Sequence, residues 1–433
     1  MWFIHGECCT TLVTSGGGLG CNQFVFTHNN SEDIHTDQKN LLVALKNDGI
    51  SPVKVLFVSS GLGCGGAETM LFSLLQHMDR RRIIPEVISL TGLGDIGQKI
   101  RDLGIPVETS NFTRKTDRFQ WSSFMRLCRK INSCRPDVVQ TWQYHADLVA
   151  GAAARFSGIK AISWGVRNGD LLPSHTKRST RIVRGISSAL SHCVPKAILF
   201  NSESSRKVHI RAGYDARRTK VIPNGFDIGK YAPNPSIRRA LRHELMLDEH
   251  TPLVGFVCRN DPVKNHEGFL RAASMINAGI PGVHYVLVGP GIDHDNLRLS
   301  QIIGMMGMGE RVHMLGYRED ISILMAAFDV LVSASHSEAF PNVLGEAMSC
   351  GVICVATNAG DSDQIIGDTG RVVPLRDMES LAEGVLAVLA MSKAERTALG
   401  MKARARIEGK FEIGKIAVEY ENYFISLTKE YRE

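Results

Sequence analysis

Ser333-Ala334-Ser335-His336-Ser337-Glu338-Ala339-Phe340-Pro341-Asn342-Val343-Leu344-Gly345-Glu346-Ala347-Met348 is the stretch on which the reading of this chain turns. It closes an apolar run, Phe328-Asp329-Val330-Leu331-Val332, that predicts a buried strand. A small polar loop leads into a helix that begins near Pro341, because proline is tolerated in a first helical turn and not further in. Val343, Leu344, Ala347 and Met348 recur at helical spacing and predict a core-facing stripe. A strand, a tight loop and a helix start aim free N–H groups and the positive end of the helix dipole at the loop, which suits a phosphate. Glu338 lies in that loop and Glu346 about two turns into the helix. Two carboxylates cannot both serve a phosphate, and their natural partners are sugar hydroxyls. By spacing alone the pair also fits a surface glutamate and a helix-solvating one.

Upstream, the strand Leu253-Val254-Gly255-Phe256-Val257 runs into Cys258-Arg259-Asn260-Asp261-Pro262-Val263-Lys264-Asn265. Two cations just past a strand end can clamp a diphosphate, arginine as a planar fork and lysine as a point charge. They can equally be a pair of surface cations. Tyr285 to Val288 and Val312 to Tyr317 read as further strands. Downstream, Val352 to Thr357 is another, followed by Asn358-Ala359-Gly360-Asp361-Ser362-Asp363-Gln364.

The first half opens on the strand Val53 to Val58, the glycine-rich turn Gly61-Leu62-Gly63-Cys64-Gly65-Gly66-Ala67-Glu68, and a helix through Met70, Leu71, Leu74, Leu75 and Met78. Such a turn lets backbone approach a phosphate closely. A dinucleotide-dehydrogenase reading would ask for an acidic residue after the second strand. Val87-Ile88-Ser89-Leu90 runs into Thr91-Gly92 and offers none. Strand and helix alternate to about Gly225, which predicts a parallel sheet covered on both faces. His145 follows the strand ending at Trp142, where open α/β sheets place ligands. A histidine satisfying local polar groups is the alternative there.

The chain has 433 residues and an apolar fraction of 44%, enough for two packed domains. A formal charge of +6 is mild for this length and does not argue for nucleic acid. The ten cysteines form no C-x2-C pairs and read as reduced thiols in a cytosolic protein. No apolar run reaches about 18 residues, so no transmembrane helix is expected. Two segments concentrate cations. Arg114, Lys115, Arg118, Arg126, Arg129 and Lys130 interleave with Phe112, Phe119, Trp121 and Phe124. Lys177, Arg178, Arg181 and Arg184 share a helix with Ile182, Val183, Ile186 and Leu190. A solvated basic face and an anionic membrane surface both fit these patterns.

Glu338 and Glu346, with seven residues between them inside S-E-A-F-P-N-V-L-G-E-A-M, resemble the E-x7-E signature of family-4 retaining glycosyltransferases of the GT-B fold. Arg259 and Lys264 match that family's G-R-x4-K-N pattern, with Cys258 in place of the glycine. Gly65 and Gly66 match its Gly-Gly-Ala-Glu segment, Gln143 to Asp147 resembles its histidine segment, and Asn224-Gly225-Phe226-Asp227 its linker. Relatives commonly have glutamate where Gln364 stands, which weakens the case for a needed carboxylate there. The resemblance covers about residues 53 to 430.

It implies an α/β chain of two Rossmann-like domains facing a cleft: an N-terminal extension over 1–51, an acceptor-side domain over 52–226, a nucleotide-sugar domain over 227–410, and a last helix within 411–433 returning to the first domain. Arg259, Lys264 and the helix start at Asn342-Val343 would stabilise the departing nucleotide diphosphate, taking a metal ion's electrostatic role, with no cofactor or metal site implied. Glu338 and His145 would position the donor sugar and Glu346 the ribose. Gly65, Gly66, Leu315, Gly316, Arg318 and Phe340 would complete the donor site. The reaction implied moves a hexose or N-acetylhexosamine from a nucleotide sugar, by family habit UDP-linked, to a glycan or lipid-linked acceptor in polysaccharide biosynthesis. Its place would be the cytoplasm or the inner face of the plasma membrane. A sugar-nucleotide epimerase would need acid–base residues around the hexose and no acceptor. The intact Arg259, Lys264, Glu338 and Glu346 set counts against a non-catalytic nucleotide-sugar binder.

Overall fold

The computed structural model describes residues 52–112, 121–169 and 178–432. The extension over 1–51, and the cations Arg114, Lys115, Arg118 and Lys177 with Phe119, lie outside the described residues.

The first sheet takes β1 (Val53–Ser59), β2 (Ile83–Ser89), β3 (Val107–Thr109), β4 (Val138–Trp142), β5 (Ile162–Val166), β6 (Ala197–Phe200) and β7 (Thr219–Val221) in the order β3-β2-β1-β4-β5-β6-β7. The connecting helices are α1 (Gly66–His77), α2 (Gly94–Asp102), α3 (Trp121–Cys134), α4 (Tyr144–Phe156), α5 (Arg178–Leu190) and α6 (Glu203–Arg211). After α7 (Pro235–Glu244), the second sheet takes β8 (Leu253–Val257), β9 (His284–Val288), β10 (Val312–Met314), β11 (Val330–Ser333), β12 (Ile353–Thr357) and β13 (Arg371–Val373) in the order β10-β9-β8-β11-β12-β13. Its helices are α8 (His266–Gly279), α9 (Leu297–Met305), α10 (Ile321–Met325), α11 (Asn342–Ser349), α12 (Ser362–Ile366), α13 (Met378–Leu389) and α14 (Lys393–Lys410), and α15 (Ile413–Arg432) ends the chain.

The central strands are almost wholly buried because both faces are covered, while the edge strands β3, β7 and β13 are short and partly exposed. In β1, Val53, Val55 and Phe57 face the core under α1, α2 and α15, while Leu56 and Val58 face that under α3 and α4. In β11, Val330 and Val332 face one core and Leu331 the other. Helix α15 buries Tyr420, Tyr423, Phe424 and Leu427 against the first sheet, each contributing about 1.5–3 kcal/mol. Arg82 pairs with Glu421 at 2.5 Å, and Arg167, stacked on Trp142 at 3.6 Å, donates to the Tyr420 hydroxyl at 2.5 Å. The two crossings between domains lie side by side: Phe226 N–H donates to Phe411 O at 2.7 Å and Ile413 N–H to Phe226 O at 3.0 Å.

Both strand orders reverse at one place, between β1 and β4 and between β8 and β11. Carboxyl ends at such a reversal splay apart and leave a crevice. The loops there are the glycine turn after β1, Gln143 after β4, Cys258–Lys264 after β8 and Ala334–Pro341 after β11. These are the segments that the sequence singled out.

Candidate functional site

The loops after β8 and β11 are zipped together. His336 N–H donates to Val263 O at 2.8 Å, and Asn265 Nδ2 to Ala334 O at 3.2 Å. Asn265 sits at φ +60 and caps α8 through Gly268 N–H at 3.1 Å, so the chain turns sharply just after Lys264. Asp261 accepts from Val263 N–H at 3.0 Å and shapes the turn before it.

This scaffold brings Lys264 Nζ to 2.5 Å from Glu338 Oε1, which also accepts from Ser335 Oγ at 2.7 Å. Burial works against the Lys264 ammonium, yet Glu338 beside it carries the lysine above its ordinary value. Behind it, Cys258 turns its thiol onto His266 Nε2 at 3.5 Å. Burial pushes that thiol up to about 12 and the imidazole down to about 4, so both are neutral near pH 7. Cysteine is therefore accommodated at the family's glycine position. The close backbone approach is supplied instead by Gly289, whose missing Cβ would lie 1.9 Å from Cys258 O.

Helix α11 begins at Asn342 with Pro341 before it and no side-chain cap. The first helix, after Gly65, and α4, after Gln143, are uncapped too. Helices α6, α7, α8, α9, α13 and α14 are capped by Ser202, Asn234, Asn265, Asn296, Asp377 and Ser392. Helices α2, α10 and α12 also lack a side-chain cap, and the starts of α1, α4 and α11 converge. Asn342 Nδ2 donates to Gly66 O at 3.4 Å, Asn342 Oδ1 accepts from Asn224 Nδ2 at 2.7 Å, and Gln143 Nε2 donates to Glu68 Oε1 at 2.9 Å. A Cβ on Gly66 would stand 3.4 Å from Asn342 Nδ2, and one on Gly65 would press on the Glu68 carboxylate. The helix starts after Gly65 and Pro341, one on each wall, make this cleft receptive to an anion.

Glu346 lies half-buried further along α11. Burial pushes its carboxyl up to about 7, against the pull of Lys230 and the Tyr231 hydroxyl. His145 is partly exposed in the first turn of α4. Val343 is partly buried beside the uncapped start, and Leu315 packs on the same core. Gly316, at φ +64, spends its N–H on Ile292 O at 2.7 Å and its carbonyl on Gly289 N–H at 2.9 Å.

Three of the expected site residues hold partners of their own. The Arg259 guanidinium, 65% exposed, is paired with Asp261 at 2.9 Å. Arg318 is held by Asp320 at 2.7 Å and Glu244 at 2.8 Å. Phe340 is buried, stacked on Phe226 at 6.1 Å and edge-on to Phe411 at 5.8 Å, so it braces the crossing between domains. Any donor contact from it is left to its backbone.

Sequence reasoning gave no role to Gln143, Glu68 or Gly169. Gln143 holds φ +78 and ψ 157, a region costly for any side-chain-bearing residue. Gly169 would place a Cβ 2.0 Å from Glu338 O. Among the described residues no three His, Cys, Asp or Glu side chains group to hold a metal, and no helix is long and apolar enough to cross a membrane.

Residues 64–230 match the family model described as Glycosyltransferase Family 4, and residues 251–391 the one described as Glycosyl transferases group 1. Together they take in the greater part of the chain, one match on each sheet. The chain is 27% identical to UDP-Gal:alpha-D-GlcNAc-diphosphoundecaprenol alpha-1,3-galactosyltransferase of Escherichia coli over 325 residues, 73% of this chain and 82% of that protein. Anabaena Alr3699/HepE, solved in complex with UDP and glucose, is 26% identical and superimposes with a TM-score of 0.75, covering 86% of this chain and 100% of that one. A glycosyltransferase from Rickettsia africae, 17% identical, shares the fold with a TM-score of 0.74 over 88% of this chain and 99% of its own. Two doubly wound parallel sheets, the zipped Lys264 and Glu338 loops and both family matches lead to one conclusion: the chain belongs to the family-4 glycosyltransferases of the GT-B fold.

Proposed function

We propose that the protein moves a hexose or N-acetylhexosamine from a UDP-linked donor to a glycan or lipid-linked oligosaccharide, with retention of anomeric configuration and no metal ion. The observation that carries this is the uncapped start of α11 in the cleft, with the Lys264–Glu338 pair on the preceding loop. Departure of a nucleotide diphosphate is the demanding step. The ammonium and the helix N-terminus supply positive potential where its charge grows. As the anomeric C–O bond to phosphate breaks, the acceptor oxygen bonds to the same face and its proton passes to the leaving phosphate. Glu338 holds the hexose, Glu346 the ribose hydroxyls, and His145 orients the sugar from the opposite wall.

The Escherichia coli relative's name specifies a UDP-sugar and a diphosphoundecaprenol-linked acceptor, and the Anabaena complex holds UDP and glucose. Both support a UDP donor, and the first supports a lipid-anchored acceptor. The latter fits the outer face of the first domain. Trp121, Phe156, Ile182 and Ile186 are exposed on adjacent helices α3, α4 and α5, among Arg126, Arg129, Arg155, Arg178, Arg181 and Arg184. Exposed apolar side chains among cations suit the inner, anionic face of the plasma membrane.

A donor panel with and without lipid-linked acceptors tests the reading. Acceptor-dependent UDP release that survives EDTA, with an α-linked product from an α-linked donor, is expected. Isomerised donor without acceptor would replace it with an epimerase, and binding without turnover would replace it with a non-catalytic binder.

A further inference from the structure

We propose that Asp361 is a latch between the domains, closing the cleft and positioning the Glu338 loop. Asp361 lies just before α12, in the second domain, and is 6% exposed. Its carboxylate crosses the cleft. Oδ2 accepts from Glu203 N–H at 2.7 Å and Oδ1 from Ser204 N–H at 2.9 Å. These are the first two N–H groups of α6, in the first domain. The third, Ser205 N–H, is taken by the helix's own cap, Ser202 Oγ, at 3.0 Å. The first turn of one domain's helix is thus completed by a carboxylate of the other. A carboxylate with two charge-assisted bonds at the positive end of a helix is a favourable arrangement.

The latch reaches Glu338 from two sides. On its own side, Asp361 N–H donates to Ala339 O at 3.0 Å, and Gly360 at φ +64 leaves no room for a Cβ, which would lie 2.4 Å from that same oxygen. On the far side, Ser205 Oγ donates to Asn168 O at 2.6 Å, and the next residue, Gly169, is the one whose Cβ would strike Glu338 O. The Glu338 loop is therefore gripped between Asp361 and the 167–169 segment only while the domains are together. On opening, Asp361 exchanges both N–H groups for water, and α6 loses the partners of its first turn. Asp361 is a positioning residue acting through Glu338. The latch concerns closure and stands whatever sugar is moved, while its link to turnover rests on the function proposed above.

The test uses the intact protein and two substitutions, one per domain. Asp361→Asn keeps the volume but turns an NH2 toward the helix. Glu203→Pro deletes one latch N–H at a position where proline is tolerated, after a residue already extended at φ −152. Each substitution is expected to speed amide exchange at Ser204 by about tenfold, the equivalent of losing one charged hydrogen bond, while exchange at Ser205 is unchanged. Small-angle scattering should show a larger radius of gyration for each, and the double variant should open no further than the singles. With donor and acceptor, KM for donor should rise, and Glu203→Pro, which also loses its ion pair with Arg206, should melt lower than Asp361→Asn. Parental Ser204 exchange and radius of gyration in both folded variants would overturn the latch. Altered exchange and scattering with no UDP release from any parental or variant protein would keep the latch and reject the transferase reading.

Discussion

Replacing Lys264 by alanine takes the ammonium from a carboxylate 2.5 Å away, in a pair whose side chains are only 20% and 14% exposed. Two consequences separate cleanly. The first is structural: Glu338 is left with Ser335 Oγ and no cation. Breaking a fully buried pair costs about 3–5 kcal/mol, and the exposure here reduces that to about 2 kcal/mol. For a domain of this size that is a fall of about 4–8 °C in melting temperature. The second is catalytic: positive charge is lost where the diphosphate departs, and removing one such preorganised group slows turnover by about 100- to 1000-fold. Adding Glu338→Gln to Lys264→Ala removes the uncompensated charge. It should recover most of the lost stability and none of the lost turnover. Calorimetry and UDP release on the two single variants and the double variant provide the measurement. A folded Lys264→Ala protein with parental turnover refutes the electrostatic argument, and strictly additive melting shifts refute the coupling.

Glu346 predicts a pH effect. Its carboxyl is pushed by burial from 4.5 to about 7, so the folded form holds a proton that the unfolded form releases. That stabilisation is full below about pH 4.5 and is lost as pH rises through about 7, amounting to up to about 3 kcal/mol. Glu346→Gln should flatten the decline in melting temperature across this window by its own share, with Asp147 and Glu421, also raised by burial, and His266, His284 and His313, lowered by burial, still contributing; matching slopes would count against the assignment. Gly169→Ala puts a methyl 2.0 Å from Glu338 O and should cut turnover about 100-fold by displacing the loop, with melting unchanged. Gln143→Gly releases backbone strain of about 1–3 kcal/mol and should melt no lower than the parent, whereas Gln143→Ala keeps the strain, loses the Glu68 bond and should melt lower. Arg181→Glu with Arg184→Glu should abolish co-sedimentation with anionic vesicles while leaving turnover of a soluble acceptor intact; unchanged sedimentation would dismiss the membrane surface.

What was legible in the sequence follows from the range of the interactions involved. Pro341 marked the start of α11 because its missing N–H and fixed φ act within one turn, and the helix does begin at the next residue. The alternation of apolar runs gave two parallel sheets, since burial on both faces is written into each strand separately. The ion pairs of Arg259 and Arg318 are made two residues away, with Asp261 and Asp320, and a strand-end cation followed by such an aspartate reads as paired. The packing of Phe340 is hidden from the sequence for the opposite reason. Its partners, Phe226 and Phe411, lie 114 and 71 residues distant and meet only where the chain crosses between domains. The Lys264–Glu338 pair spans 74 residues and the bonds of Asp361 to α6 span 158 and 157, so neither leaves a local trace. Gln143 is a third kind of miss, because its strain is a backbone angle imposed by the β4–α4 turn and glutamine carries no signature of it. The residues that sequence reveals here are those whose chemistry is local or repeated. Those that join the two domains become visible only when both sheets are in place, and on this structure they are the ones that decide whether the cleft is assembled.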